Sequence, residues 1–145
     1  MDGGTVGNGA IATGDVTFGT SGGTGTFNVT AGLVNTAATL NLGVGAGSTG
    51  TANITGGTTI FGNNATPGRT RVGVDGGTGT LNITGAATVY ETGQDEGSNT
   101  QGFFVGVGGG GSVGTVNVDG GTFTQHGWVE IGSGGGNTGT VNVWN

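Results

Sequence analysis

Gly50-Thr51-Ala52-Asn53-Ile54, Gly79-Thr80-Leu81-Asn82-Ile83 and Gly114-Thr115-Val116-Asn117-Val118 are three copies of one pattern. Gly25-Thr26-Phe27-Asn28-Val29 and Gly139-Thr140-Val141-Asn142-Val143 add two more. Their asparagines are 25, 29, 35 and 25 residues apart, so the unit is 25 residues with four added in one copy and ten in another. A glycine stands three residues ahead of every copy, at Gly22, Gly47, Gly76, Gly111 and Gly136. Self-similarity at a period of 20–50 residues is the signature of stacked repeats, because one unit cannot bury its apolar side alone.

Two further segments complete each unit. One follows the anchor, as in Thr58-Thr59-Ile60-Phe61, Ala87-Thr88-Val89-Tyr90 and Thr122-Phe123-Thr124-Gln125. The other ends in glycine: Val16-Thr17-Phe18-Gly19, Leu40-Asn41-Leu42-Gly43, Thr70-Arg71-Val72-Gly73, Phe103-Phe104-Val105-Gly106 and Val129-Glu130-Ile131-Gly132. Alternation of apolar and polar residues at period two marks short strands. Three such strands with glycine corners use up about 25 residues. The expected fold is all-β, a parallel β-solenoid of five coils with three short strands each. It forms one domain over 1–145, with coils at 3–30, 31–55, 56–84, 85–119 and 120–144. Stacked at ~4.8 Å, the coils make a rod about 24 Å long. Right-handed winding is the expectation for parallel crossovers.

The alternation assigns directions. Phe27/Ala52/Leu81/Val116/Val141 and Val29/Ile54/Ile83/Val118/Val143 form inward columns, as do Val16/Leu40/Thr70/Phe103/Val129 and Phe18/Leu42/Val72/Val105/Ile131. Asn28, Asn53, Asn82, Asn117 and Asn142 line up as a structural stack, since amides can each donate and accept from coil to coil.

Composition agrees with repetitive β-structure. The 145 residues include 40 Gly, 27 Thr and 13 Asn, and 7% are charged. One proline and no strict Gly-x-y period exclude collagen. A net charge of −6, with Arg69 and Arg71 the only basic residues besides His126, excludes a nucleic-acid binder, which must neutralise phosphates. No cysteine is present for disulfides or thiolate metal sites. No apolar run approaches the ~18 residues that span a bilayer, so no membrane insertion is expected.

The motif Gly-Thr-x-Asn-[Val/Ile]-[Thr/Asp]-Gly-Gly, followed by an apolar strand and a Val-Gly-Val-Gly turn, resembles the Gly-rich β-solenoid repeats of type V secretion (autotransporter) passengers and PEP-CTERM-associated exported bacterial proteins. Val44-Gly45, Val72 to Val74 and Val105 to Gly108 carry the turn, and the likeness runs through essentially the whole chain. It implies an extracellular or cell-surface bacterial β-solenoid, often part of an adhesin. No translocator barrel, sorting helix or signal peptide is legible, so a complete autotransporter is not expected.

Asp2-Gly3-Gly4-Thr5 matches Asp119-Gly120-Gly121-Thr122, so the chain enters the repeat midway, and no capping helix is legible at either end. Uncapped terminal coils leave unpaired strand edges. The expected function is therefore a non-enzymatic structural subunit whose partners are copies of itself, stacked head to tail into a surface or matrix filament. A segment excised from a longer array is the competing reading.

Both insertions, 62–68 and 92–101, lie between the second and third strands of adjacent coils, counting from the anchor strand. With Arg69, Tyr90, Glu91, Asp95, Glu96, His126 and Trp128 around them, they define a candidate patch where rings and carboxylates hold glycans or a surface protein. That patch supports the alternative of an adhesin segment. Glu91, Asp95, Glu96 and Asn99 also offer oxygen ligands for calcium. Their spacing matches no EF-hand and the calcium nonapeptide is not repeated, so no cofactor is expected. Outward Thr26-Asn28-Thr30, Thr51-Asn53-Thr55 and Thr80-Asn82-Thr84 resemble the threonine ranks of ice-binding solenoids, a second alternative. One histidine and no lysine or cysteine give no catalytic constellation, so no enzyme is expected.

Overall fold

The computed structural model describes residues 10–12, 15–36, 39–62, 68–91 and 102–144. The chain is an all-β parallel β-solenoid of three five-stranded sheets. Sheet A stacks β1 (Ala10–Ala12), β4 (Leu33–Thr36), β7 (Thr58–Phe61), β10 (Thr88–Glu91) and β13 (Thr122–Gln125). Sheet B stacks β2 (Val16–Thr20), β5 (Leu40–Val44), β8 (Arg69–Val74), β11 (Gly102–Val107) and β14 (Trp128–Ile131). Sheet C stacks β3 (Thr24–Val29), β6 (Thr49–Ile54), β9 (Thr78–Thr84), β12 (Val113–Asp119) and β15 (Thr138–Trp144). Five strands in a sheet are separated by four rises, so the chain makes about four turns where a count of coils gives five.

The register follows the repeat. Asn28 pairs with Asn53, Asn53 with Asn82, Asn82 with Asn117 and Asn117 with Asn142. Val16, Leu40, Thr70, Phe103 and Val129 align in sheet B, as the alternation predicts. Side chains of all three sheets meet in one core, in which Leu40, Leu42, Ala52, Ile54, Val72, Leu81, Ile83, Val105 and Val116 are fully buried. At one end the rings of Phe18 and Phe27 stack with centroids 5.0 Å apart. At the other end the same columns are uncovered, with Val129, Ile131, Val141 and Val143 exposed.

Sheet A departs from the simplest reading of the sequence. Thr88, not Ala87, aligns with Thr58 and Thr122, so β10 runs on to Glu91. Val89 and Glu91 consequently point inward and Tyr90 outward, because a shift of one residue exchanges the faces of a strand. In β7 the same alternation buries Thr59 and Phe61 and turns Ile60 outward.

Sheets B and C meet at a corner too tight for side chains. Gly43, Gly73 and Gly106 have φ between +62° and +67°, and a Cβ on each would overlap the backbone carbonyl of Thr78, Val113 or Thr138 in the next rung. The anchor glycines Gly50, Gly79 and Gly114 come up against the same corner from sheet C, where a Cβ would meet backbone of sheet B. The recurring glycines after the third strand and at the head of the anchor are therefore the two halves of one backbone-to-backbone contact.

Candidate functional site

The outer face of sheet C carries the most regular polar array of the molecule. Alternation turns Thr26, Asn28 and their register partners away from the core. Thr26, Thr51, Thr80, Thr115 and Thr140 form one continuous column. The asparagines beside them are hydrogen-bonded in one direction throughout. Asn53 Nδ2 donates to Asn28 Oδ1, Asn82 Nδ2 to Asn53 Oδ1 and Asn117 Nδ2 to Asn82 Oδ1, each at 2.8 Å, and Asn142 Nδ2 donates to Asn117 Oδ1 at 2.9 Å. Each interior amide thus gives and receives one bond along the stack. Asn82→Ala removes two of these bonds and strands one donor and one acceptor. It should lower stability by about 1–3 kcal/mol, measured by urea denaturation.

The corner between sheets B and C holds a second polar set that the repeat does not announce. Ser48 Oγ accepts from Gly22 N and Ser112 Oγ accepts from Gly76 N, both at 2.9 Å. Ser112 Oγ donates toward the carbonyls of Val107 and Gly109 at 2.9 and 2.8 Å. Asn137 Oδ1 takes the Ser112 N–H at 3.0 Å, and its Nδ2 reaches Gly108 O at 3.1 Å. Other coils place glycine at this position, Gly23 and Gly77, so no column of like residues marks it. Beside it, Arg71 pairs with Asp75 at 3.6 Å, and Asp75 Oδ1 accepts from Gly109 N at 3.3 Å.

The residues expected to form a lateral patch are divided by the wall of the solenoid. Tyr90 and Trp128 are outside, 39% and 54% exposed. Arg69 opens β8 half-buried, and Gly102 lies between it and Trp128 in the register. His126 is exposed at the turn after β13, with Nδ1 3.3 Å from the Glu91 carbonyl oxygen. Glu91 is on the other side, its carboxyl fully buried with Phe61 and Gln125 as register neighbours. Neither of its oxygens has a hydrogen-bond partner among the described residues. Burial raises its pKa to about 8, and the approach of the Gln125 side chain, which falls short of hydrogen-bond geometry because its Nε2 donates to the His126 carbonyl, offsets this in part. Asp95, Glu96 and Asn99, the remaining candidates for the patch and for calcium, lie outside the described residues. Among the described residues, no group of three or more His, Asp or Glu is placed to hold a metal ion.

No family model, curated protein or solved structure matches the chain. The solenoid's own geometry is therefore the ground for a functional reading.

Proposed function

We propose that this chain is a non-enzymatic structural protein of the bacterial cell surface or extracellular matrix. It is read as five three-strand coils whose copies stack end to end into a filament. What supports the reading is that each rung buries its apolar side chains only against its neighbours, as the last described rung, β13 to β15, shows by contrast. Val129 is 56% exposed and Val143 73%, whereas their column neighbours Phe103 and Val118 are 4% and 7% exposed. A further rung of the same kind would bury these side chains and pair the open strand edges, as every inner rung does. The low charge and the repeat's likeness to exported bacterial solenoids support the location.

Sedimentation velocity over a wide concentration range, with negative-stain microscopy of the same samples, tests it. Filaments or a growing series of stacked species are expected, and monomers at every concentration would overturn the reading. Val143→Asp should abolish stacking while leaving the β-sheet circular dichroism intact, because Val143 is largely solvated in the single chain.

One observation favours a second reading. The unbroken threonine column on the outside of sheet C presents five hydroxyls at one rung spacing, the kind of flat ordered array an ice surface can engage. Thermal hysteresis in a freezing-point measurement would support it, and its absence would remove it.

A further inference from the structure

Three buried oxygen acceptors sit side by side where β10 and β13 end, and none meets a donor among the described residues. Glu91 and Gln125 are register neighbours there, and the Gln125 side chain approaches the Glu91 carboxyl. Both carboxyl oxygens of Glu91 and the Oε1 of Gln125 lack a hydrogen-bond partner. The orientation of the Gln125 amide is fixed by its other end. Its Nε2 donates to the His126 carbonyl at 2.7 Å, and a carbonyl only accepts. An ionised Glu91 would add two more bare acceptors beside Oε1 in the interior, at the full cost of burying them unpaired. A protonated carboxyl removes the conflict, because its O–H can donate to Gln125 Oε1.

We propose that Gln125 is a two-position switch set by the proton on Glu91. With the proton in place, the Glu91 O–H donates to Gln125 Oε1 while Nε2 holds the His126 carbonyl. When the proton leaves to solvent, the amide turns over, Nε2 donates to the carboxylate and the His126 carbonyl is released. In the protonated arrangement Nε2 makes no bond to Glu91, so serving the carboxylate requires the turn. A bond to an ionised acceptor is roughly twice as strong as a neutral one, so the carboxylate outcompetes the carbonyl for the amide nitrogen.

The released carbonyl belongs to His126-Gly127, the two residues that join β13 to β14. This turn is tied to β10 a second time by the His126 ring, whose Nδ1 lies 3.3 Å from the Glu91 carbonyl oxygen. Losing the amide bond leaves that single tie, and Trp128, exposed directly after the turn, moves with it. Among the described residues, the groups around Glu91 are Phe61 on β7, Gln125 on β13 and the titratable His126. Tyr90 points outward from β10, and Arg69 opens β8 half-buried. The switch is complete within one chain and does not depend on self-stacking.

Nuclear magnetic resonance between about pH 5 and 9.5 tests it. The Gln125 side-chain amide signals, identified by their loss in Gln125→Met, should shift together with the Glu91 carboxyl carbon, with a midpoint at about 8. Trp128 is one of two tryptophans, so its fluorescence is isolated by Trp144→Phe and should step at the same midpoint. The β-sheet circular dichroism should stay constant throughout. In Glu91→Gln the new amide donates to Gln125 Oε1 at every pH, so both steps should vanish although His126 is still present. A Glu91 carboxyl that titrates near 4.5, or Gln125 signals that stay still while Glu91 titrates, would overturn the switch. Loss of β-sheet signal at the same midpoint would overturn it too, since the event would then be unfolding of the whole chain.

Discussion

Gly73→Ala should unfold the solenoid, whereas Gly135→Ala should leave it nearly unchanged. Gly73 sits at φ +67°, and its missing Cβ would occupy the space of the Val113 carbonyl in the next rung. Left-handed backbone costs alanine about 1–2 kcal/mol, and forcing rungs apart costs about 1–3 kcal/mol more. Backbone cannot rotate out of the way as a side chain can, and the displaced strand carries three sheets' registers with it. A total loss on the order of 4 kcal/mol approaches the whole stability of a small domain. Gly135 has no atom within 4 Å of its would-be Cβ and lies outside the positive-φ region. Gly22→Ala separates the two causes, since φ is +80° there and the space is open. It should lose only the conformational part, about 1–2 kcal/mol. Thermal melts of the three variants followed by circular dichroism check the series. Equal losses for Gly73→Ala and Gly22→Ala would show that the corner is not a backbone contact.

Glu91→Gln should stabilise the protein at pH 9 and leave it little changed at pH 5. The folded state holds the Glu91 proton up to about pH 8, while the unfolded chain releases it near 4.5. Between those values the unfolded state binds fewer protons, so stability falls as pH rises and levels off once the folded carboxyl ionises. The difference amounts to a few kcal/mol, since one pKa unit corresponds to about 1.4 kcal/mol. What surrounds the carboxyl from the neighbouring strands is neutral, Phe61 on β7 and Gln125 on β13. Among the described residues, the titratable side chain placed against the strand is His126, whose ring meets the Glu91 backbone carbonyl. Wild-type melting temperature should therefore drop from pH 5 to pH 9, and the Glu91→Gln profile should be flatter over that range. Parallel profiles for the two proteins would refute the assignment of the slope to Glu91.

The anchor strands were readable because their period sets register as well as strand position. Once Asn53 is over Asn28, every residue of sheet C has its face assigned, and the columns of Ile54, Leu81 and Val116 follow. Sheet A was harder. Its strands have no fixed marker residue, and Ala87-Thr88-Val89-Tyr90 and Thr88-Val89-Tyr90-Glu91 are equally acceptable alternating stretches. Only the pairing of Thr88 with Thr58 and Thr122 decides between them, and the one-residue difference moves Glu91 from a surface patch to the interior. Ser48, Ser112 and Asn137 were hidden for another reason. They bond through side chains at a corner where other coils have glycine, so the repeat offers no pattern to notice. The direction of the asparagine ladder likewise requires atoms, because a column of like residues does not say which amide gives and which receives.

The longest additions to the circuit enter at the junction of sheets A and B. Gln125 and Trp128 are joined there by two residues, yet Phe61 is followed by Arg69 and Glu91 by Gly102 without any loss of register in the strands beyond. The junction of sheets B and C, closed by backbone against backbone, takes up smaller changes: three residues join Val74 to Thr78 and five join Val107 to Val113. One edge of the rod is thus a free margin on which peptides of differing length can be carried at successive levels, as labels are hung along a rail. Foreign epitopes grafted after Phe61 or Glu91 should be displayed without disturbing the column beneath them.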